Sequence, residues 1–132
     1  MWRMVLALVA ISAAVLPAAA DQWSKKRQNL VDIAIAPDDN IGTTRRVFCP
    51  IVSAGVGFVI CQLSNETGDP VGKQILAVEG VPARIFTQVL NNCAAEAGSA
   101  IREGCFYEID VVVRGVKGST SLHAIKFIPV KL

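Results

Sequence analysis

Histidine is nearly missing from this chain, with His123 the single one among 132 residues. Any Ser–His–Asp or Cys–His mechanism would have to run through it, because no other side chain has an unperturbed pKa near neutrality. It alternates with Ser121, Ile125 and Phe127, and no G-x-S-x-G elbow accompanies it. The pattern reads as a strand residue at or near the surface, not a catalytic base. Aromatics are also scarce: beyond the first twenty residues, Trp23 and Tyr107 alone join the five phenylalanines. Glu108 and Asp110 share a strand face at the i, i+2 spacing of about 7 Å, which a glycosidase pair can have. Without aromatic platforms for a sugar they read as solvated charge, facing Lys126. No glycine-rich phosphate loop is present either.

Charge of one sign is missing as well. Thirteen Lys and Arg oppose eleven Asp and Glu, for a net +2, so no global field draws the chain to nucleic acid or anionic lipid. The one long apolar run lies at the very start, from Met4 to Leu16, after Arg3 and before Pro17 and Ala18-Ala19-Ala20. That is the layout of a secretory signal peptide over residues 1–20; a membrane span needs about 20 apolar residues. The mature chain is then expected to begin at Asp21 with 132 − 20 = 112 residues and to carry no transmembrane span. Export to the periplasm or out of the cell follows. No cysteine stands near the cleavage site to take a lipid.

What is present is a set of four cysteines, Cys49, Cys61, Cys93 and Cys105. An even number in a short exported chain reads as disulfides. Zinc sites bring ligands in close pairs such as C-x2-C, and redox enzymes favour C-x-x-C at a helix start. Both spacings here are C-x11-C, so neither a metal nor another cofactor is expected. In VFCPIVSAGVGFVIC, a hairpin turning at Ala54-Gly55-Val56 opposes residues whose numbers sum to 110. Ser53 then meets Gly57, Ile51 meets Val59 and Cys49 meets Cys61. Opposed Cα atoms lie about 4.5–5.5 Å apart, within disulfide range. Gly55 would supply the positive φ of the turn. Pro50 cannot donate to a ladder, so its strand is expected to be an edge or to bulge there.

Along the rest of the chain, residues 21–40 read as a polar, basic lead-in with a short strand at 30–36 and a turn at PDDN, 37–40. The basic SKKR (24–27) is a solubilising tail in this reading. Residues 41–132 form a single β-rich domain stapled by the disulfides. SNETGDP (64–70) is a loop holding the glycosylation triplet Asn65-Glu66-Thr67, and VGKQILAVE (71–79) is a strand. Ile85, Phe86, Val89, Leu90 and Cys93 recur at helical spacing, between Pro82 and a stop at Gly98. In 105–115, Cys105, Tyr107, Ile109, Val111 and Val113 face one way, and a turn with Gly118 in the left-handed region leads to a last strand over 120–130. The β-β-β-α-β-β order is that of a small OB-like barrel, mainly β with one packed helix. Another small β-sandwich or half-barrel is the alternative.

Function follows from this by elimination. The leading expectation is a small exported, non-catalytic binding module. Its ligand would meet the outer face of the second and third strands, and its partner is a protein or a small ligand in preference to nucleic acid. A basic and aromatic face could include Arg45, Arg46 and Phe48 at the first hairpin, with Arg114, Lys117 and Lys126 on the last. A second class is an envelope-accessory protein docking through the edge near Pro50 or through the lead-in. A third, a thiol-dependent enzyme, requires a free cysteine.

Overall fold

The computed structural model describes residues 23–94 and 100–131. The expected signal peptide, the start at Asp21 and the helix stop at Gly98 lie outside these residues. Five strands close into a barrel: β1 (Thr44–Gly55), β2 (Phe58–Ser64), β3 (Pro70–Val78), β4 (Phe106–Val116) and β5 (Ser119–Pro129). Their neighbour order is β1-β2-β3-β5-β4, closed by antiparallel pairing of β4 with β1. One joint, β3 with β5, is parallel and covers Ala77–His123 and Val78–Ala124. Helix α1 spans residues 23–35, and α2 (Ala83–Cys93) lies between β3 and β4. The result is an OB-like α+β barrel, not a sandwich.

Alternation builds the interior. Tyr107, Ile109, Val111 and Val113 of β4 are buried in turn and meet Val47, Val59, Leu76, Leu122, Ala124 and Phe127. The Lys117-Gly118 turn joins β4 to β5 with Gly118 at φ 81, as the sequence predicts. Val89 and Cys93 put the apolar stripe of α2 against this core. Phe86 of α2 lies 6.1 Å from Phe127 of β5, ring to ring. The helix starts after Pro82, whose carbonyl accepts hydrogen bonds from the Ile85 and Phe86 amides.

β1 changes partner midway. Thr44–Pro50 pairs with β4, and Ile51–Gly55 pairs with β2, with a bulge between Ile51 and Ser53. Pro50 sits at the handover, where its missing N–H breaks no β1–β2 bond. The expected hairpin register is corrected here. Gly55 opposes Phe58, Ala54 opposes Val59, and Cys61 opposes Ile51. The turn is Val56-Gly57, with the positive φ of 85 at Gly57. Gly55 is the last residue of β1, paired with Phe58, and a Cβ there would overlap the Phe58 ring. The disulfide pairing nevertheless stands: Cys49–Cys61 spans a Cα–Cα distance of 5.1 Å. It joins β1 to β2 just where their ladder runs out. Cys93–Cys105, at 5.6 Å, ties the end of α2 to the approach of β4.

The lead-in is corrected more deeply, since residues 23–35 are helix and not tail plus strand. Trp23, Arg27, Leu30 and Ile33 fall on one helical face, and Leu30 and Ile33 enter the core at 1% exposure. Trp23 packs on Phe48 of β1 with ring centroids 5.1 Å apart. Lys26 pairs with Glu108 of β4 at 2.9 Å, and the Asn29 amide donates to the Arg46 carbonyl. Ser24 and Arg27 donate to the carbonyl of Glu66, in the β2–β3 loop. Among the described residues, no helix is long and apolar enough to cross a membrane.

Candidate functional site

The six residues of the expected basic and aromatic face do not form one surface. Phe48 points outward from the barrel yet is 5% exposed, because Trp23 covers it and Phe106 stacks beside it at 6.2 Å. Arg46 donates to both oxygens of Asp110, its cross-strand partner, at 2.8 and 3.2 Å. Asp110 on β4 also opposes Lys126 on β5, so Arg46 and Lys126 flank one carboxylate. Arg45 is half-buried on β1. Arg114 and exposed Lys117 lie near the β4–β5 turn. Glu108 and Asp110 are thus held by Lys26 and Arg46, leaving neither as a free acid–base pair. The Asn65 side-chain oxygen accepts from the Thr67 and Asp69 amides and from the Thr67 hydroxyl. It organises its own loop.

The outer face of β2 and β3 is different in kind. Val59, Cys61 and Leu76 point inward and are fully buried, so their neighbours point out. The register opposes Phe58 to Ala77, Ile60 to Ile75 and Gln62 to Lys73. Two adjacent apolar pairs therefore lie side by side, followed by a polar one. Ile75 is 59% exposed and Phe58 37%, with Val56 at the hairpin tip and Val71 further along β3 also open to solvent. Single exposed apolar residues are ordinary, whereas a contiguous patch marks a surface that binds. The Phe58 ring lies against Gly55, where a Cβ would collide with it, the arrangement by which a strand glycine is covered by an aromatic neighbour.

At its border stands a polar cluster. The Ser121 hydroxyl and Nε2 of His123 lie 2.7 Å apart, and Nδ1 of His123 is 3.8 Å from Glu79. Arg114 donates to the other oxygen of Glu79 at 2.8 Å. The order of groups is that of a hydrolytic triad, but 3.8 Å is too long for a hydrogen bond and the carboxylate is held by Arg114. The cluster links the end of β3 to β4 and β5 beside the two-pair parallel joint. The Arg114 hydrogen bond holds the Glu79 carboxyl below its ordinary value of 4.5. A group lowered on folding stabilises above its unfolded value and loses that contribution as pH falls through the folded one. Glu79→Gln is therefore expected to flatten the loss of stability just below pH 4.5, leaving the profile above it parallel to wild type. Urea unfolding across that range checks this.

All four cysteines are disulfide-bonded. Among the described residues, no group of three or more His, Cys, Asp or Glu is placed to hold a metal. The outward-facing apolar pairs Phe58–Ala77 and Ile60–Ile75 were not singled out in the sequence, though a signal exists. Phe58–Cys61 (FVIC) and Ile75–Val78 (ILAV) are apolar at successive positions, so in a closed barrel one apolar set must face out. Comparison with protein-family models, curated proteins and solved structures finds no match to this chain.

Proposed function

We propose that the protein is a small exported, non-catalytic binding module whose partner is an extended apolar segment of another protein, received on the outer face of β2 and β3. The observation that carries this is the pair of adjacent outward-facing apolar couples, Phe58–Ala77 and Ile60–Ile75, in which Phe58 and Ile75 are exposed and Ile60 and Ala77 half-buried. They lie on the strands that OB barrels use for ligands. The outside of a barrel is convex, while small-molecule sites are concave, which favours a chain segment over a metabolite. β3 adds a second reason. Its pairing with β5 covers Ala77 and Val78, and Pro70–Lys73 beyond it are exposed. An incoming strand can pair there while its alternate side chains rest on the platform. Pro70 and Lys73 guard that edge against indiscriminate pairing.

The two disulfides fit an oxidising, exported compartment. They also count against the thiol-enzyme reading, since they leave no free sulfur. The accessory-protein reading loses both docking elements assigned to it. Pro50 is buried and paired with Phe106, and the lead-in is packed as α1. Selection of extended peptides from a displayed library on the folded protein tests the proposal. Selected sequences should alternate apolar residues and lose at least about tenfold in affinity against Ile75→Asp, since burying an unpaired charge is costly. Lys126→Asp should leave affinity unchanged. Equal binding to both variants would refute it.

A further inference from the structure

A separate cavity of about 350 Å³ lies between α1, the β1–β2 face and the stretch before β4. We infer that it is a binding site for a small carboxylate with an aromatic or branched apolar body. This site borders the β2–β3 face at Gln62 and Pro70 but includes neither Phe58 nor Ile75, and its ligand does not depend on the peptide proposed for that face. Its volume is at the lower end of small-molecule pockets, about 300–1,000 Å³. Phe48, Pro50, Ile101 and Phe106 make its walls apolar, and the two phenylalanines stack nearly parallel, 9° apart in plane. Such walls suit a flat ring or a branched chain.

One cation lines it. Arg27 of α1 stands over the Phe48 ring at 6.0 Å. Its Nε is shielded from solvent and has no hydrogen-bond partner among the described residues, and Nη2 donates to the Glu66 carbonyl through a long 3.4 Å contact. A buried N–H without a partner is an unmet demand. A guanidinium has two parallel donors matched to a carboxylate. By turning from the α1–loop seam toward the cavity, Arg27 would exchange one long bond for two charge-assisted ones and give Nε its acceptor. Ser64, which is buried and also lines the cavity, offers a hydroxyl. A neutral ligand of the same shape would keep the walls but lose the fork.

Phenylacetate and phenylacetamide separate these contributions, because they differ in the charged group and hardly in shape. Titration of the protein with each is followed by calorimetry and by NMR shifts of the Phe48 and Phe106 amides and the Trp23 indole. Phenylacetate should bind at least about tenfold more tightly than the amide, as charge-assisted bonds exceed neutral ones. Arg27→Gln should abolish that preference while leaving amide binding in place, and Arg27→Lys should restore part of it. Equal binding of acid and amide to the wild-type protein, or no shift of these signals with either, would overturn the assignment.

Discussion

Replacing Cys49 and Cys61 together by alanine should lower the unfolding free energy by about 3 kcal/mol. The sequence separation is 12, and chain-entropy loss for a loop of that length gives this value. Two features keep the native state from offsetting it. Both residues are fully buried, so the variant leaves small gaps in the core. The bridge also stands where β1, still paired with β4 at Cys49, begins to pair with β2 at Ile51 and Cys61, so it ties the two strands together at the very end of their ladder. A domain of this size has about 5–15 kcal/mol in total, so the change is a large fraction. Urea denaturation of wild type and variant measures it. Hydrogen exchange should show Ile51 and Val59 losing protection first. An unchanged midpoint would mean that the bridge does not constrain the unfolded chain.

Leu30→Ala should cost about 3 kcal/mol, within the 2–5 typical of a buried leucine truncation. Leu30 is 1% exposed and belongs to the core, although it precedes the first strand by more than a turn of chain. The prediction discriminates sharply between two pictures. If residues 23–35 were a solubilising tail, the same substitution would lie within about 0.5 kcal/mol of neutral. Because α1 also covers Phe48 through Trp23, the loss should be accompanied by a change in the Trp23 fluorescence environment. Thermal unfolding read by that fluorescence checks both points.

The contrast between these two regions shows what the sequence could and could not convey. The β4–β5 hairpin was legible because period-two alternation runs from Tyr107 to Val111 and Gly118, with a positive φ, marks its turn. The cysteine pairing was legible because disulfide geometry tolerates Cα distances over more than 2 Å, so it survived a wrong register. The register itself was not, because Gly55 and Gly57 both qualify as the turn residue. Only the Phe58 ring, packed over Gly55, decides between them. Helix α1 was hidden by its β-branched run Val31–Ile33–Ile35, whose strand preference is weak and yields to tertiary context. The deciding contacts, with Phe48 and Glu108, are made by residues far along the chain.

The surroundings of the candidate residues were hidden for a related reason. Arg46 and Phe48 face outward by parity, and outward was equated with free. Asp110 binds one and α1 covers the other. Phe58 and Ile75 were overlooked because apolar strand residues read as core until barrel closure fixes which side is inside. The expectation that ligand binding falls on β2 and β3 rested on element order. The closed barrel bears out the element order; binding on that face is the proposal made above.

The most direct test of that face is amide shift mapping with a peptide obtained by selection on the folded protein. The account predicts the largest changes at Phe58, Ile60, Ile75 and Ala77, with new protection along Pro70–Lys73, and none at Arg46, Glu108 or Lys126. Changes centred on the β1–β4 face, with Phe58 and Ile75 unmoved, would contradict it.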